Sequence, residues 1–183
     1  MDLTSLIDRA VPGPGSRLDR VSQEIQERVR AAARQPALAP VTTVLRGNEW
    51  LGHPLHPVVV ALPIGGWVVG AWYDVRSART KDPRDEHAAD GATRIGVVGA
   101  LAAATTGIVQ IIDARDQARR ETSIHAALNN VALLLYVVSL VMRKRGRRPL
   151  GRKLAAAGLG IVSLSGWLGG DIAFRHGVGM RRS

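Results

Sequence analysis

Apolar residues are distributed along this chain in two ways. Up to residue 52 they are sparse and set among charges, whereas residues 58–174 alternate long apolar runs with short charged stretches. Four runs stand out, at about residues 58–73, 95–112, 125–142 and 154–174. Each is near the ~20 residues that an α-helix needs to cross a hydrocarbon core. A helix on the surface of a soluble protein would carry a charged stripe every 3.6 residues. Residues 131–142 carry no such stripe; Ser139 is the one polar side chain there besides Tyr136. The first run follows Pro57, which suits the first turn of a helix, and it contains Pro63 and the pair Gly65-Gly66. Four membrane-crossing helices are predicted.

Before them, Ser16 and Asp19 resemble a capping pair, and Leu18, Val21, Ile25 and Val29 recur at spacings of three, four and four. This predicts an amphipathic helix over 16–34, lying on the bilayer or against the bundle. Pro12, Gly13, Pro14 and Gly15 interrupt the chain before it, and Pro36 and Pro40 after it. The predicted architecture is all-α: an integral membrane four-helix bundle over 53–176, an N-terminal amphipathic and polar segment over 1–52, and a basic tail over 177–183. Small residues at helical spacing predict close packing of the spans. Gly66 with Gly70, Gly166 with Gly170, and Gly96, Gly99, Ala103 and Gly107 form the candidate ridges.

Composition changes this picture in four respects. The formal charge of +10 would suggest nucleic acid in a soluble chain. Here the densest basic block, Arg143, Lys144, Arg145, Arg147 and Arg148, lies between two apolar runs and reads as an anchor on anionic lipid. No aromatic residues interleave with it to stack bases, so nucleic acid is not an expected partner. The absence of cysteine removes thiolate chemistry, disulfides and iron–sulfur ligation, and leaves His, carboxylate or Met to hold any metal. Residues 1–10 lack a long apolar core, so the first span is expected to direct insertion. Twelve Lys and Arg flank the spans on the side of the 143–153 loop, against seven on the other, which predicts that loop to be cytoplasmic.

The other side, predicted to face outward, gathers the unusual side chains. His53 and His56 precede the first run, and Gln110 and Asp113 end the second. His125 opens the third with Asn129 one turn deeper, and Asp171 and His176 end the fourth. Ionisable groups at such positions are unfavourable unless they pair or bind something.

The motif Trp50-Leu51-Gly52-His53-Pro54-Leu55-His56-Pro57, followed by Ala61-Leu62-Pro63-Ile64-Gly65, resembles the bacterial membrane family called domain of unknown function 2231. The resemblance continues through Ala104-Thr105-Thr106-Gly107, His125-Ala126-Ala127-Leu128-Asn129, Leu168-Gly169-Gly170-Asp171 and Gly177-Val178-Gly179, covering about residues 46–180. It implies a multi-pass protein of the bacterial inner membrane. Some relatives carry a Rieske iron–sulfur domain after the last span, not expected in this chain, which implies an electron-transfer setting and a Rieske-type redox partner. In two places the chain departs from the family pattern, with Asp171 where His is expected and Gln110 where Asp is expected.

Several functions are compatible with these residues. One is b-type haem ligated by two of His53, His56, His125 and His176, with His56 and His125 the best pair. A second is a transition-metal site of His53, His56 and His125 with Asp171 as carboxylate. A third is an interhelical network without a cofactor, in a structural or assembly subunit. A transporter has less support, because no internal repeat or mid-membrane charge is present. Hydrolysis and phosphate-loop chemistry lack their motifs.

Overall fold

Ser16 caps the helix that starts at Arg17, as its position predicts. Its hydroxyl accepts a hydrogen bond from the Asp19 amide, and the Asp19 carboxylate accepts one from the Gly15 amide. A computed structural model of the chain describes residues 3–180, so Arg181 and Arg182 of the basic tail lie outside the described residues. The elements are α1 (Leu3–Ala10), α2 (Arg17–Ala33), α3 (Ala39–Arg46), α4 (Leu55–Thr80) and α5 (Pro83–Ile108). A 3-10 turn (Val109–Asp113), α6 (Asp116–Lys144) and α7 (Arg148–Phe174) follow, and there is no strand among the described residues.

The four long helices are each long and apolar enough to cross a membrane. They extend beyond the apolar runs because backbone hydrogen bonding continues into charged turns suited to helix ends. Pro83 opens α5 with Asp85 and Glu86 in its first turn, and Arg143 and Lys144 close α6, each matching the helix dipole. The second run stays helical to its expected end near residue 112, with its last turn tightened into the 3-10 helix after Ile108.

The chain divides into two compact units. One comprises residues 57–104 and 128–165. Its interior contains Trp67 stacked on Tyr136 (ring centroids 4.1 Å apart, 5° between planes) together with Ala132, Ala155 and Val162. Polar Asp74, Ser77, Thr93 and Ser139 are also buried there, while Trp72, Val98 and Leu134 are 62–66% exposed. Polar groups inside and large apolar groups outside invert the arrangement of a soluble protein and suit a hydrocarbon solvent. The ridge prediction holds in this unit. A Cβ on Gly66 would lie 2.8 Å from the Gly96 nitrogen, and one on Gly99 would lie 2.9 Å from Pro63.

Inside this unit two members of the basic block turn away from the expected lipid contact. Arg143 turns inward with 1% of its side chain exposed, donating to both carboxylate oxygens of Asp74 (2.8 and 2.5 Å) and to Asp90 (3.0 Å). Arg148 pairs with Asp90 and Glu86. Neither faces lipid as expected, because carboxylates on α4 and α5 claim them; Lys144, Arg145 and Arg147 remain exposed.

The other unit comprises residues up to 56, 105–127 and 166–183. Here the expected ridge of Gly166 and Gly170 does not form, since a Cβ on either would meet nothing within 4 Å. Gly169, one register away, is the position in contact, against the His125 ring.

Candidate functional site

The second unit is assembled around the break between α5 and α6. A 3-10 turn at the end of a helix leaves carbonyls without intrahelical partners. Helix α2 supplies them from its polar side: Gln26 donates to the carbonyls of Ile111 and Ala114 (2.6 Å each), and Arg30 to that of Ile112 (3.0 Å). Asp19 accepts from Arg119 and Arg120 at 2.9 and 3.2 Å. Arg46 of α3 pairs with Asp113. The amphipathic helix therefore docks by its polar face, with Asp19, Ser22 and Gln26 buried, and leaves Val21 and Ile25 exposed. The sequence pattern located the helix; it did not indicate that the polar side would be the buried one.

The Gly15 amide, and then Arg119, hold the Asp19 carboxyl down to about 2 from its usual 3.8. A lowered folded-state value favours the folded form above the ordinary carboxylate range, and that contribution fades as pH falls from about 4 toward 2. Asp19→Asn is expected to remove this acid-dependent step and to loosen α2. Limited pepsin cleavage near Leu18 in α2, followed between about pH 2 and 4 and normalised to a peptide of the same sequence, should then be fast and flat for the variant but acid-activated for the wild type.

The predicted site residues His53, His56, His125, Asp171 and His176 all belong to this unit. The exposed His53 ring contacts the Pro54 carbonyl at 3.2 Å. His56 packs on the α5 backbone at Gly107, where a Cβ would lie 2.9 Å from its ring, with Thr106 Oγ1 at 3.2 Å from Nδ1. His125 packs in the same manner on Gly169, also at 2.9 Å. Gln110 lies beside Gly179 and buries its amide nitrogen without a hydrogen-bond partner.

Asp171 and His176 do converge, and with a residue that the apolar pattern concealed. Glu121, on the polar first turns of α6, is fully buried. Its Oε1 accepts from Gln117 (2.8 Å) and Arg175 (3.1 Å), and its Oε2 lies 3.1 Å from His176 Nε2. Arg175 also reaches Asp171 (2.8 Å) and Asp8 (2.9 and 3.0 Å). The hydrogen bonds from Arg175 and Gln117 lower the Asp8 carboxyl below its usual range, and Asp8 in turn raises the Arg175 guanidinium. Among the described residues, Glu121, Asp171 and His176 each offer a donor atom within 4.8 Å of the other two. The arrangement can clamp α6 to α7 through charge, and its carboxylate and imidazole donors are of the types that hold a divalent metal.

The compact unit of residues 57–104 and 128–165 carries a second polar network that the sequence reading missed. Arg143, Arg148 and Arg152 meet Asp74, Asp90 and Glu86, and Ser139 accepts from Arg143 at 3.1 Å. A lone acid following an apolar stretch at Asp74, three residues before Ser77 and seven after Trp67 on one face, is the signal that could have found it.

No curated protein and no solved structure matches the chain. Residues 52–182 match the family described as "Predicted membrane protein (DUF2231)". The match begins just before His53, runs through all four apolar helices and takes in Asp171 and His176. A four-span helical chain with these motifs, matched over most of its length, belongs to the predicted membrane protein family DUF2231.

Proposed function

We propose that this protein is a structural or assembly subunit of the bacterial inner membrane, in which the His and acid groups lock helices together and His56 and His125 ligate no haem. One observation carries this reading. Each of these imidazoles is seated against glycine backbone of a neighbouring helix, His56 at Gly107 and His125 at Gly169, so close that a Cβ on either glycine would lie 2.9 Å from the ring. A haem-sized ligand needs a cleft that buries most of its surface. Two open depressions of about 660 and 340 Å³ occur in this part of the chain, and Arg30 and Ile112 line both. His53 contacts the Pro54 carbonyl, His56 lies against Thr106 and Gly107, His125 lies against Gly169, and Asp171 pairs with Arg175.

The bilayer is the partner in this reading. Lys144, Arg145 and Arg147, the exposed members of the basic block, contact anionic headgroups on the cytoplasmic side, and Val21 and Ile25 of α2 meet the outer interface. A Rieske-type redox partner is not required. The test is a dithionite-reduced minus oxidised absorption spectrum of detergent-purified protein expressed with added haem precursor. The expected result is a featureless spectrum together with a lowered melting temperature for His125→Ala. Sharp α and β bands lost in His56→Ala or His125→Ala would overturn the reading.

A further inference from the structure

We propose that Glu121, Asp171 and His176 form a binding site for one first-row divalent transition cation. The inference builds on the interhelical network described above and adds an ion to it.

The spacing is that of ligands around a common ion. Two donors each about 2.1 Å from a tetrahedral metal lie about 3.4 Å apart. The His176 Nε2 stands 3.1 Å from Glu121 Oε2 and 3.9 Å from Asp171 Oδ2, on either side of that value. The side chain of Glu121 is oriented as a ligand would be. Gln117 and Arg175 both donate to Oε1, which fixes the carboxylate and turns Oε2 toward the imidazole. That Oε2 is buried and accepts no hydrogen bond, whereas Asp171 Oδ2 is ion-paired with Arg175 at 2.8 Å, and the same guanidinium nitrogen lies 3.2 Å from His176 Nε2. Buried carboxylate oxygens are rarely left without a hydrogen bond. Partners on the far side of a ligand that hold it in one orientation are a regular feature of metal sites.

Charge points the same way. Asp8, Glu121 and Asp171 bring three negative charges to Arg175, the guanidinium they share, beside a histidine that is neutral when it ligates. One divalent cation brings this group to zero. Without it a fully buried carboxylate sits in a cluster of net negative charge, an unfavourable state in a low-dielectric setting. Access is available as well: His176 and Gln117 line the open depression of about 660 Å³, so an ion can arrive from solvent. With one nitrogen and two carboxylate oxygens and no sulfur, the donor set suits Zn²⁺, Co²⁺ or Mn²⁺ better than Cu⁺.

The test uses the full-length protein in detergent, stripped with chelator and titrated with Co²⁺ alone, read by visible d–d absorption and by bound metal per chain. The expected result is one equivalent of Co²⁺ with d–d bands, displaced by Zn²⁺. Both Glu121→Gln and His176→Gln should weaken binding by more than roughly 100-fold, beyond the ~10–100-fold expected for the orienting partner in Gln117→Ala. His53→Ala should bind as the wild type does. If Glu121→Gln does not fold, His176→Gln, whose ring is partly exposed, gives the same reading. No stoichiometric Co²⁺ in folded wild-type protein, or binding unchanged in His176→Gln, would overturn the cation site. The network reading would survive that result, since it falls only with the appearance of haem bands.

Discussion

Arg143→Met is expected to destabilise the protein by about 3–5 kcal/mol, because it leaves buried carboxylates without their counter-charge. Arg143 is almost completely buried and grips Asp74 through two nitrogens, with a third contact to Asp90. Removing the guanidinium strands Asp74, whose side chain is 9% exposed; Asp90 keeps Arg148 and Asp74 keeps only the more distant Arg152 at 3.7 Å. Arg143→Lys should recover little, since a single ammonium cannot reproduce the two-pronged contact. The double variant Arg143→Met with Asp74→Asn should be markedly less destabilised than the sum of its parts, because neutralising the acid removes the stranded charge. Unfolding in mixed detergent–SDS micelles, followed by helical circular dichroism, measures each value. An Arg143→Met variant within about 0.5 kcal/mol of wild type would mean that the pair is no more than a surface contact.

The same residue shows where sequence reading stops. The four spans, the helix after Ser16 and the Gly66 and Gly96 packing positions were all legible, because each depends on local periodicity or on residue size. Arg143 was read as a lipid anchor because its neighbours in the chain are basic. Its role is set by Asp74 and Asp90, 69 and 53 residues away, which no local pattern connects to it. Glu121 was missed for a related reason. It sits among Arg119, Arg120 and Thr122, a stretch that reads as a solvated loop, yet α6 begins at Asp116 and carries it inward as a fully buried side chain. The histidines were found by their rarity. Their rarity could not say that His56 and His125 each rest on a glycine while His176 faces two acids. Gly169 rather than Gly166 or Gly170 makes the contact because one residue turns a helix by 100°, a shift that spacing alone does not fix.

Gly66→Val is expected to disrupt the packing of α4 on α5, with a loss at or above the upper end of the ~1–3 kcal/mol typical of overpacking. A Cβ at Gly66 would lie 2.8 Å from the Gly96 nitrogen and 2.9 Å from the Ala92 carbonyl oxygen, both backbone atoms that cannot rotate aside. Relief would require the two helices to separate locally. In lipid that separation forfeits close van der Waals packing, the main force joining spans. The adjacent Gly65 supplies the control, because a Cβ there would meet nothing within 4 Å. Gly65→Val carries the same change in helix propensity and in apolar bulk, so the difference between the two variants isolates the helix contact. Gly65→Val is expected within about 0.5 kcal/mol of wild type. Gly96→Ala offers a second approach to the same contact, since its methyl would strike the Trp67 ring at 2.3 Å and disturb the stack on Tyr136. Its signature should be a change in near-ultraviolet circular dichroism from the two rings, which Gly65→Val leaves unaltered. Equal stability of Gly65→Val and Gly66→Val would show that α4 does not approach α5 along this face, and the ridge of small residues would then have no packing role.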